Sequence, residues 1–494
     1  MTRAIRIGTQ QAASYGHKDI TEILLYCGGD KNFTDENGWT TLHHAARGGN
    51  SELVRSLLDQ GMKVDSRSTS NLTSLHIAAQ NGNVETIGML LSKGASVMAV
   101  DASGMNALHF AAQGGDINTI DKVLSSKMLY TDSVTDNRTT SVINTTGNGN
   151  NDAAILLQSR GAIPRVIEEE REAIRHFTNC KTNKGFTPLH IAARNGHLNA
   201  VIFLLDSGAN KDETTNNKWN VLHCAAEGGN IEVIKHLLNL GIYINIRSGN
   251  GSTPLHVAAL NGHLDAVNLL IDQNADYSAV TKNSWTVLHF ACKGRNTCTI
   301  NTLLNLQIDI NCQNSEGSTP IHVAALNGNL KALDILIGQG ANQRAVTNKR
   351  WTVLHCAAQR GETETIERLL ELSFDINCKN GDDSTPLHIA ALNGNLFAVN
   401  CLIDNGANVE AVSKKGWTVL HYAAHSTNIA TIERLLKLPL DINCQDSNGS
   451  TPLQIAGLKG SLDAVNCLIS HGADKKLLNN NDWTLVPNEG AVYK

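Results

Sequence analysis

A histidine preceded by leucine, or once by isoleucine (Ile321), returns every 33 residues along most of this chain. It falls at His43, His76 and His109, and again at His190, His223, His256, His289, His322, His355, His388 and His421. The next place in phase holds Gln454. A fixed period of this length constrains the fold more than composition does. Each repeat is one supersecondary piece, too small to bury its own apolar face, so neighbours must stack on one another.

The stretch "KGFTPLHIAARNGHLNAVIFLLDSGAN" (184–210) shows what one repeat holds. Thr187 before Pro188 reads as an N-cap followed by a first-turn proline. Leu189, Ala192 and Ala193 share one helical face, and Gly196 can end the helix in a left-handed conformation. A second helix carries Val201, Leu204 and Leu205 on its apolar side. Gly208 closes it, and a polar stretch turns the chain around.

With G-x-T-P-L-H, A-A after the histidine, N-G, and a closing L-L-x-x-G-A, the sequence resembles the ankyrin-repeat family. The copies at 251–275 and 383–407 match almost throughout. The expected fold is all-α: a solenoid of about 14 helix-turn-helix repeats joined by β-turn or hairpin-like loops. The resemblance also implies that the histidine and the N-cap threonine tie neighbouring repeats together by hydrogen bonds.

Three stretches are expected. Residues 1–163 form an N-terminal stack that begins with a partial repeat, "ITEILLYCGGD" being its second helix. Its last repeat, 136–162, has lost T-P-L-H and carries Ser141 and Val142 there. Residues 164–180 are an inserted helix or seam, with Ile174 and Phe177 on its apolar side. Residues 181–494 form a longer stack in which two repeat types alternate, so that Trp219, Trp285, Trp351, Trp417 and Trp483 lie 66 apart. Residues 478–494 begin one more repeat and stop.

"WTVLHCAAQRG" (351–361) places tryptophan, histidine and cysteine close enough to suggest a nucleophile with its base, or two metal ligands. The period argues otherwise. Cys224 and Cys356 share a slot with Phe290 and Tyr422. Cys312, Cys378 and Cys444 share one with Ile246, and Cys401 and Cys467 one with Ile335 and Leu269. Positions that exchange cysteine for such residues call for an apolar filler. One histidine per layer, roughly 10 Å apart, is too sparse for a shared metal. Phosphate-loop, serine-hydrolase, zinc-protease and calcium-loop motifs are absent. The chain is expected to be no enzyme and to hold no cofactor or metal.

The charge balance, 41 basic against 46 acidic residues, gives −5 and does not favour a nucleic-acid partner. The start lacks a secretory signal, and no apolar run suffices for membrane insertion. The 11 cysteines include no C-x-x-C pair. The expected location is the cytoplasm, or the nucleus.

Binding is then expected in residues that vary between repeats, and the resemblance implies protein partners on a concave face lined by loop tips and first helices. The residue after A-A is Leu260, Leu326, Leu392 or Leu458 in one repeat type, and Glu227, Lys293, Gln359 or His425 in the other. Trp285, Trp351 and Trp417 form a second candidate ladder, with packing on the neighbouring turn as the other reading. Asn245, Asn311, Asn377 and Asn443 resemble targets of asparaginyl hydroxylases, or are turn residues. The function expected is a protein-interaction scaffold or adaptor. The alternative is a recruiting subunit or a fragment of a larger assembly, such as a ubiquitin-ligase adaptor, a channel or a multidomain effector.

Overall fold

A computed structural model describes residues 2–131 and 172–480 of the chain. It divides into two compact bodies, residues 1–254 with 272–275 and residues 255–271 with 276–494. Regular structure among the described residues is helical, and none of their helices is long and apolar enough to cross a membrane.

The repeat containing residues 351–371 shows why the pieces form. Thr352 has extended backbone (φ −87°, ψ 168°) and starts the Val353–Arg360 helix, with a capping box to His355. Gly361, at φ 89°, takes the left-handed conformation that ends it. The Thr363–Glu371 helix follows and buries Thr365, Ile366 and Leu369 on one face. Helices of eight and nine residues are too short to hold alone in water. Their stability comes from packing: Val353, Leu354, Ala357 and Ala358 are fully buried, as are Ile366 and Leu369. The two alanines let first helices of adjacent repeats approach closely, and the remaining described repeats follow the same plan.

The loops form hairpin-like turns. Thr347 N–H donates to the Trp351 carbonyl at 3.0 Å, closing one turn. Within each body, a single backbone bond joins one tip to the next. Asn348 N–H reaches the Glu316 carbonyl at 2.9 Å, Gly381 that of Lys349 at 2.8 Å, and Lys414 that of Asp382 at 2.9 Å.

Two features of the first body add to the sequence expectation. Residues 1–33 hold both helices of a repeat, Thr2–Ser14 and Lys18–Tyr26, rather than a second helix alone. The expected seam at 164–180 is crossed by bonds of the kind that join consecutive repeats elsewhere. His109 Nε2 lies 3.2 Å from the Phe186 carbonyl, and Asn183 N–H donates to the Ser103 carbonyl at 3.0 Å. The repeat at 181 therefore stacks directly on the one at 100. Residues 172–178 are helical, with Phe177 fully buried and Ile174 half-buried. The degenerate repeat at 136–162 and Trp483 lie outside the described residues.

Leu354 is fully buried between helices of the second body. Leu354→Ala should therefore cost about 2–5 kcal/mol in urea unfolding, the range for large-to-small changes in a close-packed core. A near-zero change would contradict this packing.

Candidate functional site

The tempting cluster at 351–356 is structural. Thr352 N–H donates to His355 Nδ1 at 3.3 Å, and the Thr352 hydroxyl lies 2.8 Å from the same nitrogen. An Nδ1 that accepts leaves the ring proton on Nε2, which donates to the Ser384 carbonyl at 2.9 Å. The same bond, 29 residues ahead, joins His43 to Leu72, His223 to Ser252, His289 to Ser318, His322 to Trp351 and His421 to Ser450. His76 and His388 reach carbonyls 23 residues ahead instead, Ala99 and Ala411. The threonine caps its own first helix, and in three repeats its hydroxyl also meets a cysteine 26 residues ahead, while the histidine bonds the backbone carbonyl. Burial holds His355 down to about 4, as it does His109, His190, His223, His322 and His388. These rings are neutral at pH 7.

Trp351 is half-buried, its ring centroid 5.9 Å from that of His355. Trp219, Trp285 and Trp417 cover His223, His289 and His421 in the same way, at 5.7, 5.6 and 6.0 Å. The tryptophans thus shield the histidine bond.

Cys356 is buried, and burial pushes its thiol up to about 12. Cys224 and Cys292 are buried and shifted in the same direction. Cys312, Cys378 and Cys444, expected as plain apolar fillers, are half-buried and polar in their contacts. Cys378 Sγ lies 3.2 Å from Thr352 Oγ1 and 3.7 Å from His355 Nδ1. Cys312 and Cys444 meet Thr286 and Thr418 at 3.4 Å each. Burial raises Cys378 to about 11, so proximity to a neutral imidazole produces no thiolate. Among the described residues, no three His, Cys, Asp or Glu side chains gather as metal ligands.

The asparagines of the modification motif hold the turns together. Asn311 Oδ1 accepts the Asn342 N–H at 2.8 Å, Asn377 that of Asn408 at 2.8 Å, and Asn443 that of Asp474 at 2.9 Å. Asn245 occupies the same place in the first body.

Sequence reading missed a second asparagine series. Asn50, Asn83, Asn296, Asn329 and Asn395 stand in fixed phase with the histidines. Asn296 Oδ1 caps the Thr299 N–H at 2.9 Å, while its Nδ2 donates to the Gly262 carbonyl of the preceding repeat at 2.8 Å. Asn395 reaches the Gln359 carbonyl at 2.9 Å in the same manner. It also missed a cleft of about 790 Å³ in the first body, lined by Arg6, Gln10, Phe33, Asp35, His44 and Arg47.

First-helix ends are where repeats differ. They abut so closely that a Cβ on Gly294 would collide with the Leu260 carbonyl. In the second body these ends present a row of alternating side chains. Leu326 and Leu458 are 40% and 61% exposed, against 6% or less for the core leucines. Leu260 and Leu392 are half-buried. Between them stand Lys293 and Gln359, both exposed, and half-buried His425. Lys293 Nζ sits 5.8 Å from the centre of the Trp285 ring, and His425 packs on Trp417 at 5.7 Å. Glu227, in the first body, pairs with Arg194 at 2.9 Å. At the loop tips, Arg350 has φ 58° where Gly317 and Gly416 fill the equivalent place at 76° and 72°. An L-residue held there costs about 1 kcal/mol.

Comparison with known families finds models for ankyrin repeats matching residues 9–101, 165–248, 244–314, 288–380, 364–446 and 448–481. Among solved structures, the human ASB11 ankyrin repeat domain is 28% identical over 45% of this chain and 99% of its own, with a TM-score of 0.40. No curated protein matches the chain.

Unfolded imidazoles take up protons near pH 6.5 and the folded ones only near 4. The unfolded state thus binds more protons between those values. Stability is full above pH 6.5 and is lost as pH falls toward 4, by up to about 1.4 kcal/mol per pH unit per histidine. Gln454 shows that an amide can fill this slot, its Oε1 accepting the Thr451 N–H at 2.8 Å. His355→Gln should therefore fold and show a shallower loss of urea midpoint between pH 7 and 5, whereas His355→Phe should destabilise at both. An unchanged pH dependence in the glutamine variant would refute the neutral-imidazole bond. Alkylation of the native protein should mark exposed Cys27 and Cys298 and spare Cys224, Cys292 and Cys356. Rapid labelling of Cys356 in the folded state would restore it as a candidate nucleophile.

Proposed function

Because the chain belongs to the ankyrin-repeat family, whose repeats are generally protein-interaction modules, we propose that it is a non-catalytic scaffold or adaptor holding a partner protein along the first-helix ends of its second body. The observation that carries this reading is the exposure of Leu326 and Leu458 in a slot where other repeats place polar side chains. Apolar side chains left in water on one face suit a binding surface better than solvent. The stack beneath holds them in place, so little ordering entropy opposes association. The cysteines are free thiols, which suits a reducing compartment such as the cytoplasm or nucleus.

The test compares wild-type protein with Leu326→Glu/Leu392→Glu as bait for quantitative capture from a cell lysate. Proteins specific to the wild type should fall at least tenfold on the variant, with circular dichroism and melting unchanged. Equal capture would remove the leucine face from function, and a lowered melting temperature would make these leucines part of the core.

A further inference from the structure

The leucines of the second body do not stand alone on their surface. At the same helix ends, the intervening repeats carry Lys293, Arg295 and Arg360, and Lys459 follows Leu458. Arg295 reaches across to the Asn327 carbonyl of the next repeat, so the cations lie beside the leucine rungs. Glu362 is the acid in this row, and it faces Arg360 at 3.5 Å. The row is therefore basic and apolar together, on a chain whose formal charge is −5. Resting on the scaffold reading above, we propose that the occupant of this face is an acidic, extended segment of another protein, carrying bulky apolar side chains as anchors.

The spacing sets the register of that segment. Stacked helices lie roughly 10 Å apart, so successive leucines, two repeats apart, are about 20 Å from one another. An extended chain advances about 3.3 Å per residue, and six residues cover that distance. Anchors six apart would meet Leu260, Leu326 and Leu392, while carboxylates between them meet Lys293 and Arg295 in one intervening repeat and Arg360 in the next. An anionic membrane shares this chemistry but fits less well. Leu260 and Leu392 are half-buried, which keeps them from reaching into a bilayer.

The test measures binding of three synthetic peptides of equal length to the full chain by fluorescence anisotropy. One has leucine at every sixth position with glutamate and serine between. One has the same composition with its leucines adjacent. One has lysine in place of each glutamate. Vesicles of anionic phospholipid serve as a fourth probe. The spaced acidic peptide should bind at least tenfold more tightly than the other two. Its affinity should fall with added salt, and should drop at least tenfold in Leu326→Glu/Leu392→Glu and severalfold in Lys293→Glu/Arg360→Glu. Equal binding of the lysine or clustered peptide, no binding of any peptide, or leucine-dependent binding to vesicles alone would each overturn the proposal. If lysate capture still depends on the leucines in those cases, the scaffold reading stands and the acidic-segment inference alone fails. If capture ignores them, the reading beneath it fails too.

Discussion

A neutral imidazole, bonded at both nitrogens, is what the stack is built on. Nδ1 of His355 accepts from Thr352 and fixes the start of its own helix, while Nε2 donates to Ser384 in the next repeat. One ring thereby sets a local helix boundary and the distance to a neighbour. Protonation would turn the acceptor into a donor facing the Thr352 N–H, and would charge a group in an apolar layer. The surrounding core prevents this, and the half-buried Trp351 shields the ring from the side. Once that distance is fixed, the tip-to-tip backbone bonds, the asparagine bridges and the close approach of Gly294 to Leu260 can all form.

The repeat was legible because its period is enforced by contact between like surfaces. Thr, Pro, His and Gly each answer a backbone demand that returns every 33 residues. Where those demands are met by other residues, the reading faltered. The first helix, Thr2–Ser14, lacks T-P-L-H and was missed. Its buried Ala12 and Ala13, followed by Gly16 at φ 71°, carry the packing half of the pattern and were the available signal. The direct stacking of the repeat at 181 on the one at 100 could not be read from spacing, because His109 and Phe186 meet across 77 residues.

Residue type proved a weaker guide than phase. Exchange with isoleucine in sequence marks a cysteine as apolar, yet Cys378 also meets the Thr352 hydroxyl. Cysteine serves in both kinds of slot because it is small, weakly polar and cheap to bury while neutral. The asparagines at 296, 329 and 395 were visible at fixed spacing, but their double role needs two repeats in view at once. By contrast, the rungs at Leu326, Lys293 and Gln359 vary because first-helix ends project beyond the packed layers. There a side chain changes without disturbing the bond network. At the loop tips, Arg350, Lys218, Ser284 and Asp383 keep a left-handed place that other repeats give to glycine, so the tips too vary at some backbone cost.

The most direct measurement is a long-range proton–nitrogen NMR correlation of the histidine rings in uniformly labelled protein, followed from pH 7.5 to 5. The repeat histidines should hold one neutral tautomer, with hydrogen on Nε2, across that range, because burial keeps rings such as His355 near 4. Rings at these positions that carry hydrogen on Nδ1, or that titrate near pH 6.5 in the folded protein, would contradict the account.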